Sequence, residues 1–299
     1  MLTLLLTLLA QSGARAPAFK TSSDLVVLHV AVVDHRAGFV AGLPATAFQV
    51  FDDGRSQPIA FFEADDTPVT VGLLIDSSGS MVSRRPAVIA AGMAFAESSR
   101  ADDQMFTICF NEKVWRGLPD GQLFTSDHAE LHAALDRSGA RGQTALFDAI
   151  HAGLSQLDAG TMTRKILIVV SDGGDNASRA HFQEVLEAAL RRDVVIYTIG
   201  IYDSRDEDAR PGLLRELASA TGGEAFFPTR LDEVRPALER IARDIRSSYT
   251  IGFVPPPASA SGVRHTLRVE LRPPDGRKLA VRARSAYVRE GHDAGGPQH

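Results

Sequence analysis

Four short apolar runs recur through the middle of the chain, and each is followed by a stretch with helical spacing. VTVGLLID (69–76), QMFTICF (104–110), KILIVVSD (165–172) and VVIYTIG (194–200) show almost no polar–apolar alternation. A strand covered on one face alternates, whereas one buried on both faces does not. Strands of that kind run parallel and need crossover connections, which are usually helices. Segments near 84–100, 127–136, 145–158, 180–192 and 212–220 supply them, and 232–247 is a last helix with Pro236 near its first turn. Residues 67–247 are therefore expected to form a doubly wound, mostly parallel, Rossmann-like α/β sheet with helices on both faces.

The flanks have a different grain. DLVVLHVAVVD, FQVF (48–51) before the turn Asp52-Asp53-Gly54, and Pro58–Phe62 read as strands. Beyond the last helix come SYTIGFV, HTLRVELR, the turn Pro274-Asp275-Gly276 and KLAVRARSAYV, read as one strand. Residues 19–66 and 248–290 are each too short for a comfortable core. Together they suffice for one small β-sandwich, so the α/β domain is expected to be inserted between two halves of a discontinuous β-domain. Residues 291–299 read as a disordered tail.

The first residues carry a different signal. Leu2–Ala10 is a Leu/Thr/Ala run too short to span a bilayer but of signal-peptide length, with small residues at Ala14, Ala16 and Ala18. Residues 1–18 are expected to be an export signal, which places the mature chain in a periplasm or outside the cell, with no membrane span. The formal net charge of −5 lacks the electrostatic footprint of a nucleic-acid binder. Arg230–Glu290 is locally basic and reads as a solvated face that offsets an acidic remainder. The single cysteine, Cys109, excludes an intramolecular disulfide, and no Cys/His cluster of zinc-ligand spacing is visible.

The chemistry concentrates where the expected strands end. Asp76-Ser77-Ser78-Gly79-Ser80 follows VGLLI, and its i, i+2, i+4 spacing can aim Asp76, Ser78 and Ser80 at one point. Thr144 lies in Gly142-Gln143-Thr144-Ala145-Leu146, a loop that opens a helix. Asp172 lies in Ser171-Asp172-Gly173-Gly174-Asp175, after KILIVV. In an open parallel sheet, ligands bind at the carboxyl ends of the strands. Carboxylate and hydroxyl oxygens are hard donors that suit Mg²⁺, Mn²⁺ or Ca²⁺.

Asp76-x-Ser78-x-Ser80, with Thr144 in a G-x-T-x-L loop and Asp172 in an S-D-G loop, closely resembles the metal-ion-dependent adhesion site of von Willebrand factor type A domains. The resemblance covers about 180 residues in the right strand–helix order, and all five motif positions are filled. It implies that the serines, with either the threonine or an aspartate, ligate the cation. The other carboxylates then act through water, and an Asp or Glu of a protein partner completes the shell. Val33–Gly54 matches loosely the N-terminal pattern of an exported bacterial subfamily with this domain. The implied activity is cation-dependent protein binding and adhesion without catalysis.

Competing readings are weaker. A metal-dependent hydrolase on the same cluster needs a general base, for which only Asp76 and Asp175 are available. A dehalogenase-type phosphatase wants a second Asp where Ser78 stands, and a serine hydrolase wants G-x-S-x-G. The loop before Thr144 has no phosphate-binding Lys, and His128 and His132 lack the zincin glutamate directly after the first His, where Ala129 stands. Asp175 reads either as a second-shell group to the metal or as a cap for a helix starting near Arg179. Cys109 and Trp115 read as packing residues.

Overall fold

A computed structural model describes residues 25–34, 38–64, 66–136, 141–202, 208–256, 262–273 and 276–289. The expected export signal and tail, and Pro274 and Asp275 of the last turn, lie outside the described residues. Five strands precede the α/β block: β1 Val26–Asp34, β2 Gly38–Phe39, β3 Phe48–Asp52, β4 Arg55–Gln57 and β5 Phe61–Glu63. The block itself runs β6 Val69–Asp76, α1 Arg85–Glu97, β7 Gln104–Phe110, β8 Val114–Arg116, α2 His128–Asp136 and α3 Leu146–Leu157. It continues with β9 Arg164–Ser171, α4 Phe182–Arg191, β10 Val194–Gly200, α5 Pro211–Thr221, β11 Ala225–Phe226 and α6 Val234–Ser247. Four strands close the chain: β12 Tyr249–Phe253, β13 Arg264–Leu271, β14 Ala280–Arg282 and β15 Ala286–Val288.

The central sheet has the order β11-β10-β9-β6-β7-β8, parallel except for the hairpin strand β8. Every residue of β6 is buried, as expected for a strand covered on both sides. Val71, Leu73 and Ile75 pack toward α1, α2 and α6, and Leu74 packs toward α3, α4 and α5. Gly72 is required by closeness: a Cβ there would lie 2.4 Å from the Phe106 ring and 2.7 Å from Leu167. Any side chain there would displace the buried Phe106 ring and the Leu167 side chain from their packing.

The flanking segments pair with one another. β1 runs antiparallel to β12, with Val26 opposite Phe253 and Val30 opposite Tyr249, and β3 to β13, with Val50 opposite Val269. One sheet is β14-β1-β12-β5 with β2 on β1, and the other is β15-β13-β3-β4. They share a core of Leu28, Val30, Phe48, Val50, Ile251, Phe253 and Tyr287, with Phe48 and Tyr249 rings 4.8 Å apart. Tyr249 donates to the Val40 carbonyl and accepts from the Leu43 amide, so its buried hydroxyl is satisfied on both sides.

Two expectations change. Pro58–Phe62 is not one strand: β4 ends before Pro58, which has no N–H to give a ladder, and pairing resumes at Phe61. KLAVRARSAYV is two short strands in different sheets. At Ser285 the amide donates to the Ala220 carbonyl at the end of α5 instead of to a strand, and the buried Arg284 points into the domain interface.

The sandwich sits against the N-terminal ends of the parallel strands. Arg164, at the start of β9, is buried and donates to the Ser248 hydroxyl between α6 and β12. His29 and Ala31 of β1 face Arg164, Ile166 and Tyr197 across a small cavity. The loops that follow β6, β7 and β9 occupy the opposite edge.

Candidate metal site

Three loops at the C-terminal edge are tied together by backbone. Ser77 donates its amide to the Phe110 carbonyl at 2.6 Å and accepts at its carbonyl from the Arg141 amide at 2.8 Å. Gly79 donates to the Gly142 carbonyl at 3.0 Å. Gly142 has a φ of 79°, which favours glycine, and a side chain there would also collide with the Glu112 carboxylate. Below the first loop the buried Arg85 of α1 donates to the Ser77 hydroxyl and to the Leu135 carbonyl, fixing loop to helix.

On this frame four of the expected residues meet. The Ser78 and Ser80 hydroxyls are 3.1 Å apart, and Ser80 donates to Asp172 Oδ2 at 2.6 Å. Asp76 lies behind them, fully buried. Its Oδ1 accepts the Ser78 amide at 2.8 Å, and its Oδ2 accepts the Ser171 hydroxyl at 2.7 Å. Asp172 Oδ1 accepts the Gly174 amide at 2.9 Å. Thr144 is buried in the loop that Gly142 ties to Gly79, its amide held by Asn176 Oδ1 at 2.9 Å and its carbonyl accepting the Asn176 and Ala177 amides.

Asp175 takes neither oxygen to this cluster. Its Oδ2 accepts the Phe147 amide in the first turn of α3, and its Oδ1 accepts the Ser178 amide, both at 3.1 Å. It therefore caps α3 from across the loops, whereas the helix expected near Arg179 begins at Phe182. Ser171, Asn176 and Asn111 are the supporting residues that motif spacing does not assign. Ser171 also accepts the Gly173 amide, and Asn111 donates to the Arg141 carbonyl. Only Ser171 had a local signal, its place beside Asp172. His132 is exposed on α2, whereas Cys109 and Trp115 pack into the core.

Burial pushes the Asp76 carboxyl up to about 6, and the negative charge of Asp172 adds to it, against the hydroxyls of Ser78 and Ser171 and the Ser78 amide. Two carboxylates facing each other in this way favour a cation between them or beside them. The donors fit a hard divalent ion. Adjacent oxygens of an octahedral Mg²⁺ shell lie about 2.9 Å apart for bonds of about 2.0–2.1 Å. The spacings of 3.1 and 2.6 Å along Ser78, Ser80 and Asp172 bracket that value. Ser80 is exposed, so a ligand from solution has access to this side of the cluster.

A family model of the von Willebrand factor type A domain matches residues 71–243, from inside β6 to near the end of α6. The chain belongs to this family. The von Willebrand factor type A protein from Catenulispora acidiphila superposes with a TM-score of 0.55 at 14% identity, covering 92% of this chain and 76% of that one. That coverage runs beyond the family-matched span into the sandwich strands. Proximal thread matrix protein 1 from the mussel byssus, solved with a zinc-occupied metal-ion-dependent adhesion motif, superposes with a TM-score of 0.53 at 16% identity. It covers 64% of this chain and 48% of its own. At these identities the likeness establishes the von Willebrand factor type A fold. No curated protein matches the chain.

Proposed function

We propose that this von Willebrand factor type A protein is an exported, non-catalytic binding module that grips an Asp or Glu side chain of a protein partner through a divalent cation. The domain type is a protein-interaction module. The observation that carries the finer reading is the run of oxygens Ser78–Ser80–Asp172 at the C-terminal sheet edge, with Thr144 buried in a loop tied to that edge through Gly142. Ser78 and Ser80, with Thr144 or Asp172, would hold the ion, and Asp76 would orient them from behind. Few direct carboxylates leave the ion much of its charge, so it attracts an anionic oxygen from outside. Mg²⁺ suits this oxygen set best, with Mn²⁺ or Ca²⁺ as substitutes, and zinc in the byssus protein's motif is a precedent for a divalent ion in this fold. Export rests on Leu2–Ala10 and the small residues that follow. Both Asp76 and Asp175 are committed to hydroxyl and amide donors, which argues against either as the base of a hydrolase.

The test is a thermal melt and a capture assay from envelope extract, each with Mg²⁺ and with EDTA. Mg²⁺ at 100 times its Kd should stabilise the fold by about 2.7 kcal/mol. Thr144→Ala removes a neutral ligand and should abolish capture far more than it lowers the melt, whereas Asp76→Ala should weaken Mg²⁺ binding itself. An unmoved melting point together with capture that survives EDTA would overturn the reading.

A further inference from the structure

A second set of metal-ligand side chains lies in the sandwich, in strands that take no part in the central sheet. Asp52 ends β3, Asp53 follows it in the β3–β4 turn, and His265 lies on β13, opposite Tyr287 of β15 and two residues before Leu267, which pairs with Asp52. Ligand atoms of the three all fall within 4.8 Å of one another. His265 Nδ1 is 2.9 Å from Asp53 Oδ2 and 3.6 Å from Asp52 Oδ1. Around a tetrahedral ion with bonds of about 2.0–2.1 Å, ligand atoms lie about 3.3 Å apart, so these separations suit one ion.

The independent observation is Asp52 Oδ1. The Asp52 side chain is 5% exposed. Its Oδ2 accepts the Tyr287 hydroxyl at 3.1 Å, while Oδ1 is buried without a hydrogen-bond partner and faces His265 Nδ1. Buried carboxylate oxygens are costly when unsatisfied. The charges of Arg289 and Arg55 act on the two aspartates through space, without a hydrogen bond to that oxygen. The other members are preset. Asp53 has a φ of 45°, its amide donates to the Thr266 carbonyl and its Oδ1 accepts the Thr266 amide. The His265 ring stacks on Tyr287 at 4.9 Å.

We propose that Asp52, Asp53 and His265 form a second divalent-cation site, separate from the oxygen-only cluster, whose imidazole and two carboxylates suit Zn²⁺. Imidazole nitrogen with carboxylate oxygen is a zinc donor set, and two carboxylates neutralise the ion. Asp53 and His265 are partly exposed, which leaves water to complete the shell. The ion staples the turn that precedes the inserted domain to a strand that follows it, a sequence separation of 212 residues. This inference does not depend on the adhesion-site reading.

The experiment uses the whole chain with Co²⁺ as an absorbing stand-in for Zn²⁺, in excess Mg²⁺, by equilibrium dialysis and visible absorption. Wild type should bind one Co²⁺ with the intense d–d bands of a low-coordinate nitrogen-containing site, displaced by Zn²⁺. His265→Phe keeps the ring on Tyr287 and should abolish the bands. Asp53→Asn keeps the Thr266 contacts and tolerates the positive φ, and should weaken Co²⁺ binding at least tenfold. It decides the matter if His265→Phe does not fold. Asp172→Asn, aimed at the other cluster, should leave the bands unchanged. Identical Co²⁺ stoichiometry and spectra in wild type, His265→Phe and Asp53→Asn would overturn the site and reduce the cluster to an ion pair.

Discussion

The two edges of the central sheet both bury acidic side chains, and they handle the charge in opposite ways. At the N-terminal edge each acid has an arginine from the sandwich or its approach. Asp244 of α6 pairs with Arg282 and accepts the Tyr197 hydroxyl at 2.8 Å. Asp193, entering β10, pairs with Arg284 at 3.2 Å, and Glu224 with Arg282 and Arg240. At the C-terminal edge Asp76 and Asp172 are held by hydroxyls and amides, and the charge that acts on Asp76 is that of Asp172. One edge is neutralised by the fold itself and closed by a second domain. At the other, among the described residues, neither Asp76 nor Asp172 pairs with an arginine, and Ser80 faces solution. Neutralisation from within builds an interface, and on the proposed function neutralisation left to an outside ion would build a binding site.

The sharpest way to break this contrast is one isosteric change at each edge, compared by urea unfolding at pH 7.5 in EDTA. Asp244→Asn leaves Arg282 without its most buried partner and should cost about 3 kcal/mol, the low end for breaking a buried pair because Glu224 remains. Asp76→Asn removes a charge that burial already disfavours. Without metal it should leave the fold as stable as wild type or more so, by up to about 2 kcal/mol, while abolishing the Mg²⁺ effect. Equal losses in the two variants would mean that the edges do not differ in kind.

The distinction was only half legible in the sequence. The C-terminal edge could be read because two of its loops carry a short motif directly after an apolar run, Asp76–Ser80 after β6 and Asp172 after β9. Their convergence follows once those runs are parallel strands, and the expected block of helices and strands is what the structure shows. The N-terminal edge could not be read, because its partners come from distant segments. The basic stretch after Arg230 reads as a solvated face, yet Arg282, Arg284 and Arg246 are tucked into pairs, the last with Asp66 and Asp103. Arg284 alternates with apolar neighbours as a strand residue would, and only the contact of Ser285 with Ala220 reveals the break. His265 likewise has no acidic neighbour in sequence, and the β3–β13 register alone brings it to Asp52 and Asp53.

A pH series sharpens the comparison at the closed edge. His29 of β1 is buried, and burial, followed by the charges of Arg164 and Arg284, holds its pKa well below the usual value of 6.5, with Asp193 at 4.0 Å as the opposing charge. The folded state keeps His29 neutral, whereas the unfolded chain takes up a proton below about 6.5, so stability is present above that pH and lost as pH falls. The slope is about 1.4 kcal/mol per pH unit for one proton. The stability of wild type relative to His29→Gln should therefore fall by about 2 kcal/mol between pH 6.5 and 5.0. Parallel pH curves for the two proteins would show that the fold accommodates a charged His29.

The smallest expected effect separates bracing from binding at the open edge itself. Asp175 lies three residues beyond Asp172 and reads as a candidate second-shell group, yet both its oxygens are spent on the Phe147 and Ser178 amides. The first bond satisfies a donor at the start of α3 and places a negative charge at its positive end, and the second closes the loop at Ser178. Asp175→Ala should therefore cost about 1 kcal/mol in urea unfolding. Mg²⁺ affinity by calorimetry should change less than threefold, because the cation's oxygens are held by other contacts. Asp172→Ala should do the reverse, with little change in the metal-free fold and a loss of Mg²⁺ binding beyond tenfold. If Asp175→Ala weakens Mg²⁺ as much as Asp172→Ala does, the carboxylate belongs to the ion's outer sphere, and capping α3 is the lesser of its roles.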